Sequence, residues 1–133
     1  MKTFFLNILV FTTIFISCCD KEEPTTITDE LYGEWSLIYS YSGGFGWPET
    51  FELNDIIWKF NSDNTISVTL NVTPVSEIPL GITGVYEYAL DGNYIRLPDS
   101  NTFEFEFISD GARLRLLQDE AAGGPANILF EKL

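Results

Sequence analysis

Residues 102–118 read TFEFEFISDGARLRLLQ. Apolar and polar residues alternate on both sides of Asp110-Gly111, and a period of two is the signature of a strand with one wet face. Asp-Gly suits a two-residue type I′ turn. That turn pairs Phe107 with Leu114 and Phe105 with Leu116 on one face, and Glu106 with Arg115 on the other. A slip of one residue would send every apolar side chain to the wrong face, so the register is tightly specified.

The pattern recurs twice. VYEYALDGNYIRL (residues 85–97) turns at Asp91-Gly92; this sets Tyr88 against Ile95, Tyr86 against Leu97, and Glu87 against Arg96 on the opposite face. IIWKFNSDNTISVTL (residues 56–70) carries a three-residue loop, Ser62-Asp63-Asn64, with Asn64 in the left-handed region. It pairs Phe60 with Ile66, Trp58 with Val68 and Ile56 with Leu70, and points Lys59, Ser67 and Thr69 outward. From Leu31 onward no amphipathic helical stripe interrupts this reading. Eight strands are expected, near 34–41, 56–61, 65–72, 82–90, 94–98, 102–108, 112–118 and 127–132.

Consecutive hairpins with one apolar face, and no helices to cover a flat sheet, predict an all-β antiparallel up-and-down barrel. The last strand, NILFEKL, then pairs with the first, EWSLIYSY. A two-sheet sandwich is the alternative that alternation alone does not separate. With 133 residues there is room for one such domain, over 30–133.

Composition narrows the function. Twenty acidic residues face seven basic ones, for a net charge of −13, and histidine is absent. The charge repels phosphate backbones, so no nucleic-acid partner is expected. Without histidine the chain lacks the usual general base near neutral pH and the commonest metal ligand. We expect no enzyme, no cofactor and no metal site. Glu104 and Glu106 lie two apart on an outward face beside Arg115, which a solvated ion pair explains better than a glycosidase pair.

Residues 1–17, MKTFFLNILVFTTIFIS, place one positive charge before an apolar run and then small residues. This is the layout of a secretory signal peptide, and the run is short of the roughly 20 residues a spanning helix needs. Cys18 and Cys19 follow, the only cysteines in the chain. Adjacent cysteines bridge each other only with strain, and no third cysteine or histidine completes a zinc site. A cysteine ending a signal peptide resembles the lipobox of bacterial lipoproteins, in which that cysteine is acylated and the leader is cut just before it. Cys19-Asp20-Lys21-Glu22-Glu23 is similar to the surface-export signal of some Gram-negative lipoproteins. The resemblance implies a signal peptide over 1–18, acylation of Cys19 or of Cys18, and an outer-membrane protein held on the cell surface by lipid. Residues 19–29 then form an acidic tether, extended over 24–28.

The start of the domain, DELYGEWSLIYSY, contains Gly33-Glu34-Trp35. This resembles the Gly-X-Trp signature of lipocalins, and WKFNSDNT, GVYEYALDGNYIRL and ILFEKL are similar to small lipocalin-like domains of bacterial lipoproteins. The resemblance implies a calyx, a short 3₁₀ turn at 28–30 before the first strand, and a monomer binding a small hydrophobic or amphipathic ligand. The chain departs from the family in three places: TGVYEY stands where a Thr-Asp-Tyr motif is common, the register puts Arg113 and Arg115 outside, away from the tryptophan, and no C-terminal helix is legible.

An eight-stranded barrel is either packed solid or holds one small ligand. The expected lining is Trp35, Leu37, Tyr39, Tyr41, Trp58, Phe60, Tyr86, Tyr88, Phe103, Phe105 and Phe107. Four tyrosines on inward positions imply a partly polar interior, since a buried hydroxyl needs a partner. The loop YSGGFGWPETF (41–51) joins the first two long strands, and its glycines favour mobility. Phe45 and Trp47 make it a candidate lid or contact patch. The competing reading is a solid barrel whose end loops bind a protein partner.

Overall fold

A computed structural model describes residues 26–43, 47–98, 101–118 and 126–133. Cys18, Cys19 and Phe45 lie outside the described residues.

Strand β1 (Gly33–Ser42) is the organising element, with β10 (Ala126–Lys132) on one side and β3 (Ile56–Phe60) and the two-residue β2 (Glu49–Thr50) on the other. The remaining strands are β4 (Thr65–Leu70), β5 (Gly84–Glu87), β6 (Ala89–Asp91), β7 (Tyr94–Arg96), β8 (Thr102–Ile108) and β9 (Arg113–Gln118). The hydrogen-bonded path runs β5-β4-β3-β1-β10-β9-β8-β7-β6, every pair antiparallel. Its two ends, β5 and β6, are one continuous piece of chain bent at Tyr88, and β2 is an appendage of β1. The described strands therefore make eight staves of a nearly closed meander barrel.

Two hairpins have the register the alternation dictates. Phe107 faces Leu114, Phe105 faces Leu116, and Glu106 faces Arg115. Asp110 and Gly111 both have positive φ, as a type I′ turn requires. Phe60, Trp58 and Ile56 face Ile66, Val68 and Leu70, and Asn64 sits at φ +61°. The loop before β4 is further held by Asp63 Oδ1, which accepts hydrogen bonds from the Thr65 amide and hydroxyl at 3.2 and 2.5 Å.

The third hairpin corrects the sequence reading. Leu90 faces Ile95 and Ala89 faces Arg96, so the turn is Gly92-Asn93 rather than Asp91-Gly92. Gly92 alone takes positive φ (+59°), the conformation of a type II′ turn with glycine first. Tyr88 and Tyr86 thus do not oppose Ile95 and Leu97, and Glu87 faces Thr65 instead of Arg96. The slip is by two residues, so the faces are preserved: Tyr88, Ile95 and Leu97 remain buried.

Helix α1 (Ile27–Leu31) closes one end of the barrel, in place of the 3₁₀ turn and of the last residues of the expected tether. Leu31 is fully buried, and its carbonyl accepts the Trp35 indole N–H at 2.8 Å. Gly33, between them, has φ +116° with nothing near its missing Cβ, so the backbone angle and not space demands glycine there. The Lys132 ammonium lies 5.1 Å from the Trp35 ring centre and donates to the Glu30 carbonyl at 3.1 Å. Lys132, not an arginine, therefore covers the tryptophan and staples the helix to the last strand. Arg113 and Arg115 instead pair with Glu131 and Glu106 on the outer face.

Inside, Trp58 packs on Phe130 with ring centres 4.9 Å apart, Phe60 meets Tyr88 edge-on at 5.5 Å, and Trp35 meets Phe107 at 6.0 Å. Apolar residues fill the interior while Lys59, Thr69, Glu104 and Arg96 project to solvent. That distribution is the inverse of a membrane-spanning barrel, whose outer band is apolar. No helix among the described residues is long and apolar enough to cross a membrane.

Candidate functional site

Strict alternation along β1 would send Trp35, Leu37, Tyr39 and Tyr41 inward. The structure breaks that alternation with a β-bulge at Ile38. Leu37 faces Phe130, but the next paired residue is Tyr39, opposite Leu129. The Ile38 carbonyl, turned out of the ladder with β10, accepts the Phe51 amide at 3.1 Å. Beyond the bulge the faces exchange, as one extra residue requires. Ser40 faces Ile128 and Ser42 faces Ala126 on the inner side. Tyr39 and Tyr41 lie on the opposite face, half-buried, so neither enters the packed core, but Tyr41 lines the cleft at this end of the barrel.

Ser40 and Ser42 therefore take the inner positions of β1 at the end of the barrel remote from α1, with Tyr41 beside them. A cleft of about 230 Å³ results. Phe103, Ile128 and Ala126 form its floor, and Ser40, Tyr41, Ser42, Glu77, Asn101 and Gln118 bring polar groups to its walls. Its roof is the segment 71–83, which crosses the end of the barrel through Ile78 and Pro79. At about 3.3 Å per residue of strand, the seven residues from Trp35 to Ser42 put the cleft roughly 23 Å from the capped end.

The roof is held by an apolar plug and a polar clamp. Ile78 and Leu80 are buried, with Leu80 at φ +52°. Glu49, on β2, accepts hydrogen bonds from the Val75 amide (2.9 Å), the Ser76 amide (2.9 Å) and the Ser76 hydroxyl (2.6 Å). Burial alone would raise the Glu49 carboxyl. The Ser76 hydroxyl and the two amides outweigh it and hold the group below its ordinary value.

The other expected lining residues divide cleanly. Trp35, Leu37, Trp58, Phe60, Tyr88, Phe103 and Phe105 are inward and buried in one hydrophobic cluster. Phe107 is partly buried against the same cluster, as is Tyr86, whose hydroxyl donates to the Ile82 carbonyl at 2.6 Å. The Trp58 indole N–H and the Tyr88 hydroxyl are buried with no hydrogen-bond partner among the described residues. Burial pushes the Tyr88 phenol up, and the nearby charges of Tyr32 and Asp63 act in the same direction. At the rim, Trp47 is 82% exposed, so it covers nothing in the described fold.

Sequence reasoning missed Ser40, Ser42, Asn101 and Gln118. Their only sequence signal is the Ser-x-Ser spacing within SYS of β1, which is legible only once the bulge is known. It also missed the roof, since residues 71–81 read only as a strand end and a connection. Among the described residues no group of three or more acidic or cysteine side chains is placed to hold a metal ion.

Comparison with protein-family models, with curated proteins and with solved structures finds no match.

Proposed function

We propose that this protein is a lipid-anchored lipoprotein of the bacterial outer membrane whose lipocalin-like barrel binds a small amphipathic molecule in the cleft at its far end. The observation that carries this reading is the cleft itself: an apolar floor of Phe103 and Ile128 beneath polar side chains of Ser40, Ser42, Asn101 and Gln118. Such a mixture suits a compact ligand with one apolar face and several hydrogen-bonding groups. The aromatic depth of the barrel serves as the packed base of the site and not as a calyx. The proposed role is binding rather than catalysis: the chain has no histidine, and both cysteines precede the barrel domain.

The anchor reading rests on residues 1–23: an apolar leader, Ser17, two cysteines and Asp-Lys-Glu-Glu. The tether would join the barrel at α1, so the cleft would face away from the membrane, the useful direction for capturing a molecule from outside. Mass spectrometry of the mature N-terminus tests this part. An unmodified peptide spanning residues 15–24 rules it out.

Native mass spectrometry of protein purified from its own host tests the ligand. A retained small molecule in the wild type, lost in Ser40→Phe, is the expected result. Equal retention by both proteins would move the ligand elsewhere. A second reading is favoured by exposed Trp47 (82%) and Val75 (93%), the latter beside the Glu49 clamp: a protein partner covering the rim. Retained ligand absent, with a partner lost on Trp47→Ala, is its signature.

A further inference from the structure

The barrel has a seam, and one of its lips is an unpaired strand edge. In an antiparallel ladder, alternate residues direct both backbone groups to the same neighbour. The Tyr88 amide donates to the Asn64 carbonyl at 3.0 Å, and Tyr86 and Gly84 lie opposite Ile66 and Val68 in the same register. Gly84, Tyr86 and Tyr88 therefore spend their backbone groups on the β4 side. Val85 and Glu87 direct theirs the other way, where no strand among the described residues pairs with β5.

The reason lies on the far lip. Continuing the β6–β7 register, in which Ala89 faces Arg96, would bring residue 98 opposite Glu87. Residue 98 is Pro98, which has no N–H to give. The chain leaves the ladder there, and the Leu97 amide closes a turn onto the Asn101 carbonyl at 2.8 Å. A groove of about 330 Å³ remains, lined by Glu87, Tyr88, Ala89, Arg96, Leu97 and Pro98.

We propose that this edge is a docking site for an extended peptide segment of a cationic protein partner, which adds a strand to β5. The free backbone groups of Val85 and Glu87 specify an extended backbone. The side chains specify its chemistry. Val85 is 70% exposed, with Ile82 exposed just before it, and Glu87 is exposed and in no ion pair with a described residue. A partner strand gains an apolar residue opposite Val85 and a lysine or arginine opposite Glu87, two positions apart. A second copy of the chain fits poorly. Pairing two β5 edges about Tyr86 would set each Val85 against a Glu87, between bodies of net charge −13.

The test uses the full chain and a capped peptide repeating Thr-Val-Thr-Lys, followed by amide hydrogen exchange. Saturating peptide is expected to slow exchange at Val85 and Glu87 at least tenfold, while Gly84 and Tyr86, already bonded to β4, change little. The same peptide N-methylated at alternate residues should not bind. Val85→Pro removes the outward N–H without touching the β4 ladder and should abolish the effect. Glu87→Lys should weaken binding about two- to fivefold, the range of one cross-strand charge pair, and a peptide with glutamate in place of lysine should restore it. Unchanged exchange at Val85 and Glu87 overturns the proposal. So does equal binding of the N-methylated peptide, which would mean adhesion through charge alone.

Discussion

Replacing Glu49 tests how the roof of the cleft is held. The carboxylate accepts hydrogen bonds from two amides and one hydroxyl of residues 75 and 76. A hydrogen bond to a charged group contributes about 1.5–3 kcal/mol when shielded, and solvent screening reduces that at a half-exposed carboxylate. Glu49→Ala should therefore cost about 1–2 kcal/mol, and Glu49→Gln roughly half of that. The roof will not detach, because burial of Ile78 and Leu80 contributes about 3–6 kcal/mol. Part of that is offset by the left-handed backbone at Leu80, which costs roughly 1–2 kcal/mol. The sign of the pH dependence is determined. The folded carboxyl lies below its ordinary value of 4.5, so its contribution is complete above that pH and is lost as pH falls through the lower, folded value. Urea unfolding of wild type and Glu49→Gln from pH 7 to pH 3 should show a constant gap that closes below about pH 4.5. Amide exchange at Val75 and Ser76 should quicken about five- to thirtyfold in Glu49→Ala. A gap that persists unchanged at pH 3, or unaltered exchange at those two amides, would refute the clamp.

Trp35→Phe should cost about 1–2 kcal/mol in urea unfolding, since it strands the Leu31 carbonyl and leaves a smaller ring with a weaker hold on Lys132; a neutral result would mean that α1 docks by Leu31 alone. Tyr88→Phe should be neutral or stabilising by up to about 1 kcal/mol, because the hydroxyl is buried with no partner among the described residues. The raised Tyr88 phenol contributes stability below the ordinary value of 10.0 that is lost as pH rises through the folded one, so the variant should flatten the alkaline limb of the stability curve, and a loss above 1 kcal/mol would reveal a hidden partner. Asn64→Val should cost about 1–2 kcal/mol at φ +61° while Asn64→Gly costs little, as measured by thermal unfolding. A double-mutant cycle on Glu106 and Arg115 should yield under about 1 kcal/mol, falling with salt, since both side chains are well exposed to water.

Much of the fold is legible in short stretches. The 56–70 and 102–118 hairpins are specified by turn residues that accept positive φ and by alternation whose apolar face has one burial solution. The 85–97 hairpin shows the limit of that logic. Two turns, Asp91-Gly92 and Gly92-Asn93, preserve the same faces, and the choice between them depends on what β7 pairs with on its other side, where Tyr94 faces Glu104 and Ile95 faces Phe103. The site was less legible. Tyr39 and Tyr41 are as apolar and as well spaced as Trp35 and Leu37, and nothing local to β1 announces the bulge at Ile38. The bulge is satisfied by Phe51, thirteen residues downstream, through the amide that its carbonyl accepts.

The amino-acid sequence by itself determined an all-β meander and the inward faces of most strands, because side-chain burial with a period of two is a local property; the pairing of first strand with last, which separates a barrel from a sandwich, is a long-range contact. It also carries the whole case for export and lipid attachment, in the leader and the two cysteines. Only the tertiary structure decided that Ser40 and Ser42 take the inner face beyond the bulge, that residues 71–83 roof the cleft, and that β5 has no second partner strand among the described residues. Each of these depends on a contact between segments distant in the chain, where the backbone's need to satisfy its hydrogen bonds overrides the pattern of the side chains.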